Sequence, residues 1–244
     1  TMAAFDYAVG LGVDAIELDV RLSRDGEAMV IHDPTVDRTT DGAGRVADHT
    51  ADALTRLDAA ARFDDPARPG ALPYRGQGIG VPTLAAVLAR HRDMRFTVEL
   101  KGAEMALADR ALVVVRRADA VDRVSFGSFH WRSLRRVRRA LPGLVTSASV
   151  PEAFLAWAAA TISVTPEWGA YTLFQLPEYR RGWHIVTERF VRAARAGGRP
   201  TQVWVVNDRD DMTRLLGWGV TGLISDVPDI AMDAIYSRAE AAHA

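Results

Sequence analysis

Residues 14–46 read DAIELDVRLSRDGEAMVIHDPTVDRTTDGAGRV, and this stretch sets the fold prediction for the whole chain. Segment 15–20, AIELDV, alternates apolar and charged residues, which is typical of a strand with one buried face. The turn at 23–26, SRDG, leads into a second strand over 27–32, which we interpret as the hairpin partner of the first. Residues 33–82 form the longest irregular stretch of the sequence, and loops of this length are usually functional or disordered.

Strand and helix patterns alternate along the remaining chain. Strands separated by helices predict βαβ units and a parallel sheet. A TIM (β/α)8 barrel needs eight strands and about 250 residues. For these 244 residues we therefore predict one α/β barrel domain, residues 1–244, whose first strand would precede Thr1. A doubly wound open sheet is the alternative, although neither G-x-G-x-x-G nor G-x-x-x-x-G-K-[ST] is present. The main predicted strands are 15–20, 95–101, 123–129, 144–150, 170–176, 201–207 and 222–227.

Charged residues share one face of two of these strands. In AIELDV the apolar residues alternate with Glu17 and Asp19, and in TVELK they alternate with Glu99 and Lys101. One face of each barrel strand must be apolar where it meets the helices, so we predict that the charged residues point inward at the carboxyl ends of the strands. Three carboxylates against one ammonium favour a divalent cation with oxygen ligands, Mg²⁺ or Ca²⁺. The alternatives are solvated strand ends and plain ion pairs.

Two single residues add to this picture. Lys101 is the only lysine among 30 basic side chains, and the other 29 are arginines. Because arginine is used wherever any cation suffices, the lone lysine indicates a position that needs a compact ammonium, unless it is there by chance. His32 ends an apolar strand beside Asp33, and this position suits general acid or base chemistry. A structural role for His32 is the alternative.

Composition excludes several classes of protein. The 30 Lys+Arg and 31 Asp+Glu residues give a formal charge of −1, which argues against a dedicated nucleic-acid-binding protein. The sequence has no cysteine, so it offers neither a disulfide nor a thiolate nucleophile. No apolar run approaches the ~18 residues of a membrane span, and we predict no integral membrane segment. The composition assigns no oligomeric state.

The segment 132–143, RSLRRVRRALPG, concentrates arginine. Trp131, Leu134, Val137 and Leu141 fall at helical spacing, and the arginines occupy the other faces. This pattern predicts an amphipathic surface helix with a solvated side. Binding to an anionic surface is the alternative interpretation.

The sequence resembles the glycerophosphodiester phosphodiesterase family, whose fold is a TIM barrel of the phospholipase-C-like phosphodiesterase type. Members hydrolyse glycerophosphodiesters to glycerol 3-phosphate and an alcohol with a divalent metal. The most specific match is the E-x-D motif followed by H-D and D-R-T-T. The resemblance runs in order through segments 14–46, 81–88, 98–101, 125–129, 203–208 and 219–229.

The resemblance implies roles for individual residues. Glu17, Asp19 and Glu99 are expected to be metal ligands, and His32 is similar to the second of two catalytic histidines in the family. Lys101 resembles the family lysine near the substrate phosphate.

The resemblance also implies roles for two aromatic residues and one insertion. Phe129 and Trp204 are the expected substrate-binding aromatic residues, although strand parity leaves open whether Trp204 or its neighbours face inward. Residues 47–80 resemble the small insertion that caps the barrel mouth.

The family pattern also predicts residues before Thr1, because its first strand ends in His-Arg-Gly and carries the first catalytic histidine. A barrel that binds metal or phosphodiester without turnover is therefore one alternative, and a sphingomyelinase-D-like lyase is another. A carbon-acid enzyme that uses Lys101 as its base is a third. We expect a cytoplasmic protein with a small-molecule substrate, and secretion stays open because the start of the chain is not represented.

Overall fold

The computed structural model describes residues 1–66, 68–162, 164–165 and 168–243. It divides into two units: residues 1–10 with 14–144, and residues 11–13 with 145–244. Both units alternate strands with helices, as the sequence predicts, and most of the strand pairs are parallel. Closure of the strands into one TIM (β/α)8 barrel, with a first strand before Thr1, stays a prediction.

The first unit contains a four-stranded sheet in the order β2-β1-β3-β4. β1 pairs in parallel with β3, and β3 pairs in parallel with β4. β2 runs antiparallel to β1, which confirms the predicted hairpin. The strands are β1 (Ala15–Leu22), β2 (Ala28–Val30), β3 (Arg95–Leu100) and β4 (Val124–Gly127). The helices are α1 (Met2–Gly10), α2 (Ala51–Arg56), α3 (Leu84–Arg90), α4 (Met105–Arg117) and α5 (Trp131–Ala140).

Helix α3 shows how local sequence sets the helices of this unit. Thr83 begins the helix as its N-cap, and its side chain accepts a hydrogen bond from the Ala86 amide at 3.1 Å. Leu84, Val87 and Leu88 recur at helical spacing and are fully buried. The apolar stripe therefore anchors α3 in the core, and its other residues face outward.

The second unit contains a three-stranded parallel sheet in the order β5-β8-β9 and a separate antiparallel hairpin, β6-β7. Aromatic side chains fill its core, with the rings of Tyr171 and Phe190 each about 5 Å from that of Phe174. The strands are β5 (Phe174–Pro177), β6 (Tyr179–Arg180), β7 (Trp183–His184), β8 (Thr201–Trp204) and β9 (Gly222–Leu223). The helices are α6 (Val150–Thr161), α7 (Glu188–Ala196), α8 (Arg209–Trp218) and α9 (Pro228–His243).

Two predicted strands are much shorter than the sequence pattern indicates. Of 222–227 only β9, Gly222–Leu223, forms a strand, and the larger difference is at 144–150. In this segment the structure has an isolated parallel bridge between Ser147 and Leu173. Ser149 closes the segment because it forms a capping box with Glu152 at the start of α6. A proline in the first turn of α6 further favours helix at this point.

The predicted insertion, 47–80, contains α2 and a series of turns, and Ala67 within it lies outside the described residues. Its role as a cap stays a prediction. Among the residues that the structure describes, none of the helices combines the length and apolar character that a membrane crossing requires.

Leu88→Ala tests the packing of α3. We expect the free energy of unfolding to fall by about 2–5 kcal/mol, because the side chain is fully buried and its removal leaves a cavity. Urea denaturation measures the difference. Leu155→Ala is the matched control, since Leu155 is also helical but 55% exposed, and a change within about 0.5 kcal/mol is expected. Equal losses in the two variants would contradict this description of the core.

Candidate active site

The register of β1 against β3 brings the predicted charged residues together. Asp19 lies opposite Glu99, and Glu17 lies opposite Thr97, in the parallel pairing of the two strands. Leu18 and Val20 point to the opposite face of β1 and are buried. The alternation predicted from sequence therefore places the carboxylates on one face and the apolar residues in the core.

Three carboxylates form a compact group on that face. Glu17, Asp19 and Glu99 each offer an oxygen, and these atoms lie within 4.8 Å of one another. All three residues are partly buried; the side chains of Asp19 and Glu99 are only 17% and 18% exposed. Burial raises the pKa of Glu99, and the neighbouring ammonium only partly opposes this effect. The group therefore has an excess of negative charge, and its oxygen ligands fit a hard divalent cation.

Lys101 lies directly beside two members of this group. Its Nζ is 3.1 Å from Asp19 Oδ1 and 3.1 Å from Glu99 Oε1. Burial alone would lower the pKa of Lys101, but the two carboxylates outweigh it and the pKa is raised. Lys101 is thus a charged ammonium in a site that is only 15% exposed. The Phe129 ring centroid lies 5.8 Å from Nζ, so this predicted substrate-binding residue also lies near the carboxylate group.

His32 belongs to a second chemical group at the end of this sheet. Its Nδ1 lies 2.7 Å from Asp33 Oδ1, and Arg38 binds the same carboxylate through Nε at 2.5 Å and Nη2 at 3.1 Å. The hydrogen bond from Arg38 lowers the pKa of Asp33 to about 2, and the bond with His32 contributes to this shift. An ionised carboxylate only accepts hydrogen bonds, so Nδ1 is the donor and the other ring nitrogen, Nε2, is available for proton transfer.

Arg21 supports the His32 backbone, and sequence reasoning did not identify it. Its Nε donates a hydrogen bond of 2.7 Å to the His32 carbonyl oxygen. Strand alternation places Arg21 on the same face of β1 as Glu17 and Asp19, so the extension of the same pattern would have found it. Arg38 was missed because its partnership with Asp33 forms within an irregular loop, where no periodicity predicts contacts.

A cleft of about 280 Å³ within the first unit connects Glu17 and Asp19 of the carboxylate group with His32, Asp33 and Arg38. Metal-type ligands and the candidate acid/base residue open to the same space, so a small molecule could contact both. Lining residues include Glu17, Asp19, His32, Asp33 and Arg38, together with Thr1, Phe5, Thr39 and the apolar Leu18, Val30, Ile31, Ala59, Val81 and Pro82.

Trp204 lies in the second unit, at the end of β8. Val203 is fully buried and Trp204 is partly buried, so strand alternation places Trp204 on the sheet face opposite Val203. Its predicted role in substrate binding stays a prediction.

Known proteins resemble the chain over nearly its whole length. Residues 1–230 match the model of the glycerophosphoryl diester phosphodiesterase family. A glycerophosphodiester phosphodiesterase of Caldanaerobacter subterraneus subsp. tengcongensis is 32% identical over 96% of this chain and 91% of that protein. The crystal structure of glycerophosphodiester phosphodiesterase from Agrobacterium tumefaciens is 26% identical, with a TM-score of 0.72, and the match covers 95% of this chain and 91% of that one.

A phosphodiesterase of Oleispira antarctica, solved in complex with its product sn-glycerol-3-phosphate, shares the fold. Its TM-score is 0.74 at 22% identity, and the match covers 96% of this chain and 90% of that one.

Arg38→Gln tests the electrostatics of the Asp33 group. Asp33 has a folded-state pKa of about 2 against an ordinary 3.8, so its carboxylate stabilises the fold above pH 3.8, and this stability is lost as the pH falls through about 2. We expect the variant to move the Asp33 titration midpoint upward towards 3.8, as measured by carboxyl carbon NMR. Arg92→Gln, at an exposed arginine of the same unit, is the control. An unchanged midpoint in Arg38→Gln would show that Arg38 does not hold Asp33 ionised.

Proposed function

Because the chain belongs to the glycerophosphoryl diester phosphodiesterase family, we propose that it hydrolyses glycerophosphodiesters to glycerol 3-phosphate and an alcohol, with a divalent metal. The observation that carries the proposal is the cleft in which Glu17 and Asp19 meet His32. The family similarity supports a TIM (β/α)8 barrel around this cleft. It also favours the hydrolase over the non-catalytic and lyase alternatives.

Glu17, Asp19 and Glu99 are the proposed ligands of Mg²⁺ or Ca²⁺. Three clustered carboxylates provide the oxygen donors that such cations prefer, and partial burial disfavours their negative charges unless cations balance them. When bound, the metal would polarise the phosphoryl oxygens of the substrate.

His32 is the proposed general acid, and Asp33 orients it. In the first step the glycerol 2-hydroxyl gives its proton to a general base, the role that the family pattern assigns to its first catalytic histidine, and attacks phosphorus. The bond from phosphorus to the alcohol oxygen breaks, and His32 gives that oxygen a proton. Water then opens the cyclic phosphate to glycerol 3-phosphate. The hydrogen bond from Nδ1 to Asp33 fixes the ring, so Nε2 delivers the proton.

Lys101 and Phe129 are proposed to contact the substrate. The Lys101 ammonium would offset charge that grows on the phosphate during attack. Trp204 is proposed as a further lining residue. A small-molecule substrate suits a cleft of about 280 Å³. A cytoplasmic location remains part of the proposal.

Substrate choice tests the reaction directly. We expect the natural full-length protein to release glycerol 3-phosphate from glycerophosphocholine and to be much slower on bis(p-nitrophenyl) phosphate, which has no adjacent hydroxyl. Glu99→Gln should lower the activity and the Mg²⁺ or Ca²⁺ affinity by about 10–100-fold, because a ligand charge is lost. Coupled product assays and calorimetric metal titration give the two measurements.

Glu188→Gln removes an exposed carboxylate from α7 and is the control, with activity and metal affinity expected to be unchanged. Equal turnover of the two substrates would exclude the cyclic route. Wild-type metal affinity in Glu99→Gln would exclude Glu99 as a ligand.

Lys101→Arg tests the requirement for a compact ammonium. The guanidinium is larger and planar, so it cannot take the Nζ position between Asp19 and Glu99 in a site this enclosed. We expect kcat for glycerophosphocholine to fall by about 10²–10³-fold, in line with the loss of one charge-stabilising group. Arg95→Lys, an exposed exchange at the start of β3, should keep full activity. Full activity in a folded Lys101→Arg protein would refute the role given to the ammonium.

A further inference from the structure

Helix α5 presents a cationic face that the proposed chemistry does not use. Trp131 is 45% exposed, and Arg132, Arg135 and Arg139 are exposed beside it. With Arg136 and Met105 of α4, these residues line a shallow depression of about 360 Å³. We refer to Met105, Trp131, Arg132, Arg135, Arg136 and Arg139 as the α5 face.

Little of the positive charge on this face is neutralised inside the protein. Arg136 pairs with Asp109 through Nε at 2.6 Å. In the part of the chain that the structure describes, Arg132, Arg135 and Arg139 have no ion-pair partner. Helix α5 carries five arginines and no acidic residue, although the whole chain has a formal charge of −1. The charge is thus a local property of this surface.

The spacing of these arginines destabilises helix α5. Arg132 and Arg135, and likewise Arg135 and Arg139, stand one turn apart, and like charges at this spacing destabilise a helix. Arg132 also lies in the first turn, where the helix dipole disfavours a cation. A partner with negative charge would relieve both effects.

We infer that the α5 face docks on an anionic lipid surface. Arginines beside an exposed tryptophan and methionine match the two layers of such a surface, because cations meet headgroup phosphates while apolar side chains enter the boundary below them. An indole ring at headgroup depth is typical of membrane interfaces. Charge complementarity and apolar exposure therefore point to the same occupant.

The same residues argue against two other occupants of the α5 face, a nucleic acid and a second copy of this chain. The guanidinium groups of Arg132 and Arg135 lie 5.7 Å and 5.8 Å from the Trp131 ring centroid, so the ring already has cationic partners and is less available for stacking on nucleic-acid bases. A second copy of this chain would oppose cation to cation across a two-fold axis. Neither occupant uses the whole face.

The start of α5 lies near the carboxylate group of the proposed site. Helix α5 begins two residues after Phe129, at the carboxyl end of β4, and Phe129 contacts Lys101. The start of α5, with Trp131 and Arg132, therefore lies at the same end of the sheet of the first unit as the carboxylate group. Lipid docking goes beyond the hydrolysis proposed above and does not depend on it.

Vesicle co-sedimentation tests the inference. We expect the full-length protein to bind phosphatidylcholine vesicles that contain about 30% phosphatidylglycerol, and to bind pure phosphatidylcholine weakly. Arg132→Gln/Arg135→Gln/Arg139→Gln should lower the partition coefficient by roughly 100-fold. Trp131→Ala should lower it by about tenfold, and the loss should persist at high salt, because it removes apolar rather than ionic binding.

Arg24→Gln/Arg92→Gln/Arg95→Gln is the matched control, since it removes three exposed charges from the same unit. Its binding should stay at the wild-type level. Cooperative thermal unfolding and unchanged turnover of soluble glycerophosphocholine confirm that the α5 variants fold.

Three outcomes would overturn the inference. The first is wild-type vesicle binding by the α5 triple variant. The second is binding of a single-stranded oligonucleotide or of polyphosphate without any binding to anionic vesicles. The third is self-association in sedimentation velocity that the α5 substitutions abolish while vesicle binding is unaffected.

Discussion

The partly buried electrostatic contact between β1 and β3 organises the first unit of the molecule. Partly burying three carboxylates and an ammonium on one sheet face costs free energy that only close pairing can offset. The parallel register supplies this pairing because it sets Asp19 beside Glu99, with Lys101 one residue further along the chain. On the opposite face, Val20 and Leu100 are fully buried. A shift by one residue would exchange the two faces, so the core and the site specify the same register.

The second group of the site depends on this register indirectly. The Ile31 amide donates to the Asp19 carbonyl at 3.0 Å, and the Arg21 side chain holds the His32 carbonyl. The strand that carries the carboxylates therefore also fixes the start of the loop that carries the histidine. Asp33 then determines which ring nitrogen of His32 is free. The proposed metal ligands and the proposed general acid thus have a common scaffold in β1.

Sequence patterns predicted the features of the site that depend on strand alternation. Glu17, Asp19, Glu99 and Lys101 meet as expected, because a period of two and a parallel pairing determine their positions. The Asp33–Arg38 pair depends on loop geometry, which has no period, and it was not predicted. The β6-β7 hairpin was missed as well, since its turn rests on positive φ angles at Arg181 and Gly182 within a segment that is too short to show alternation.

Lys101 is the only lysine of the sequence, and the structure encloses it between two carboxylates. The interior of the site therefore contains the single ε-amino group among the residues of this sequence. An amine-directed acylating reagent needs the neutral amine, and the raised pKa of Lys101 keeps that form scarce. The rate at which this one position is labelled would report how firmly the carboxylates hold the ammonium, with no background from other lysine side chains.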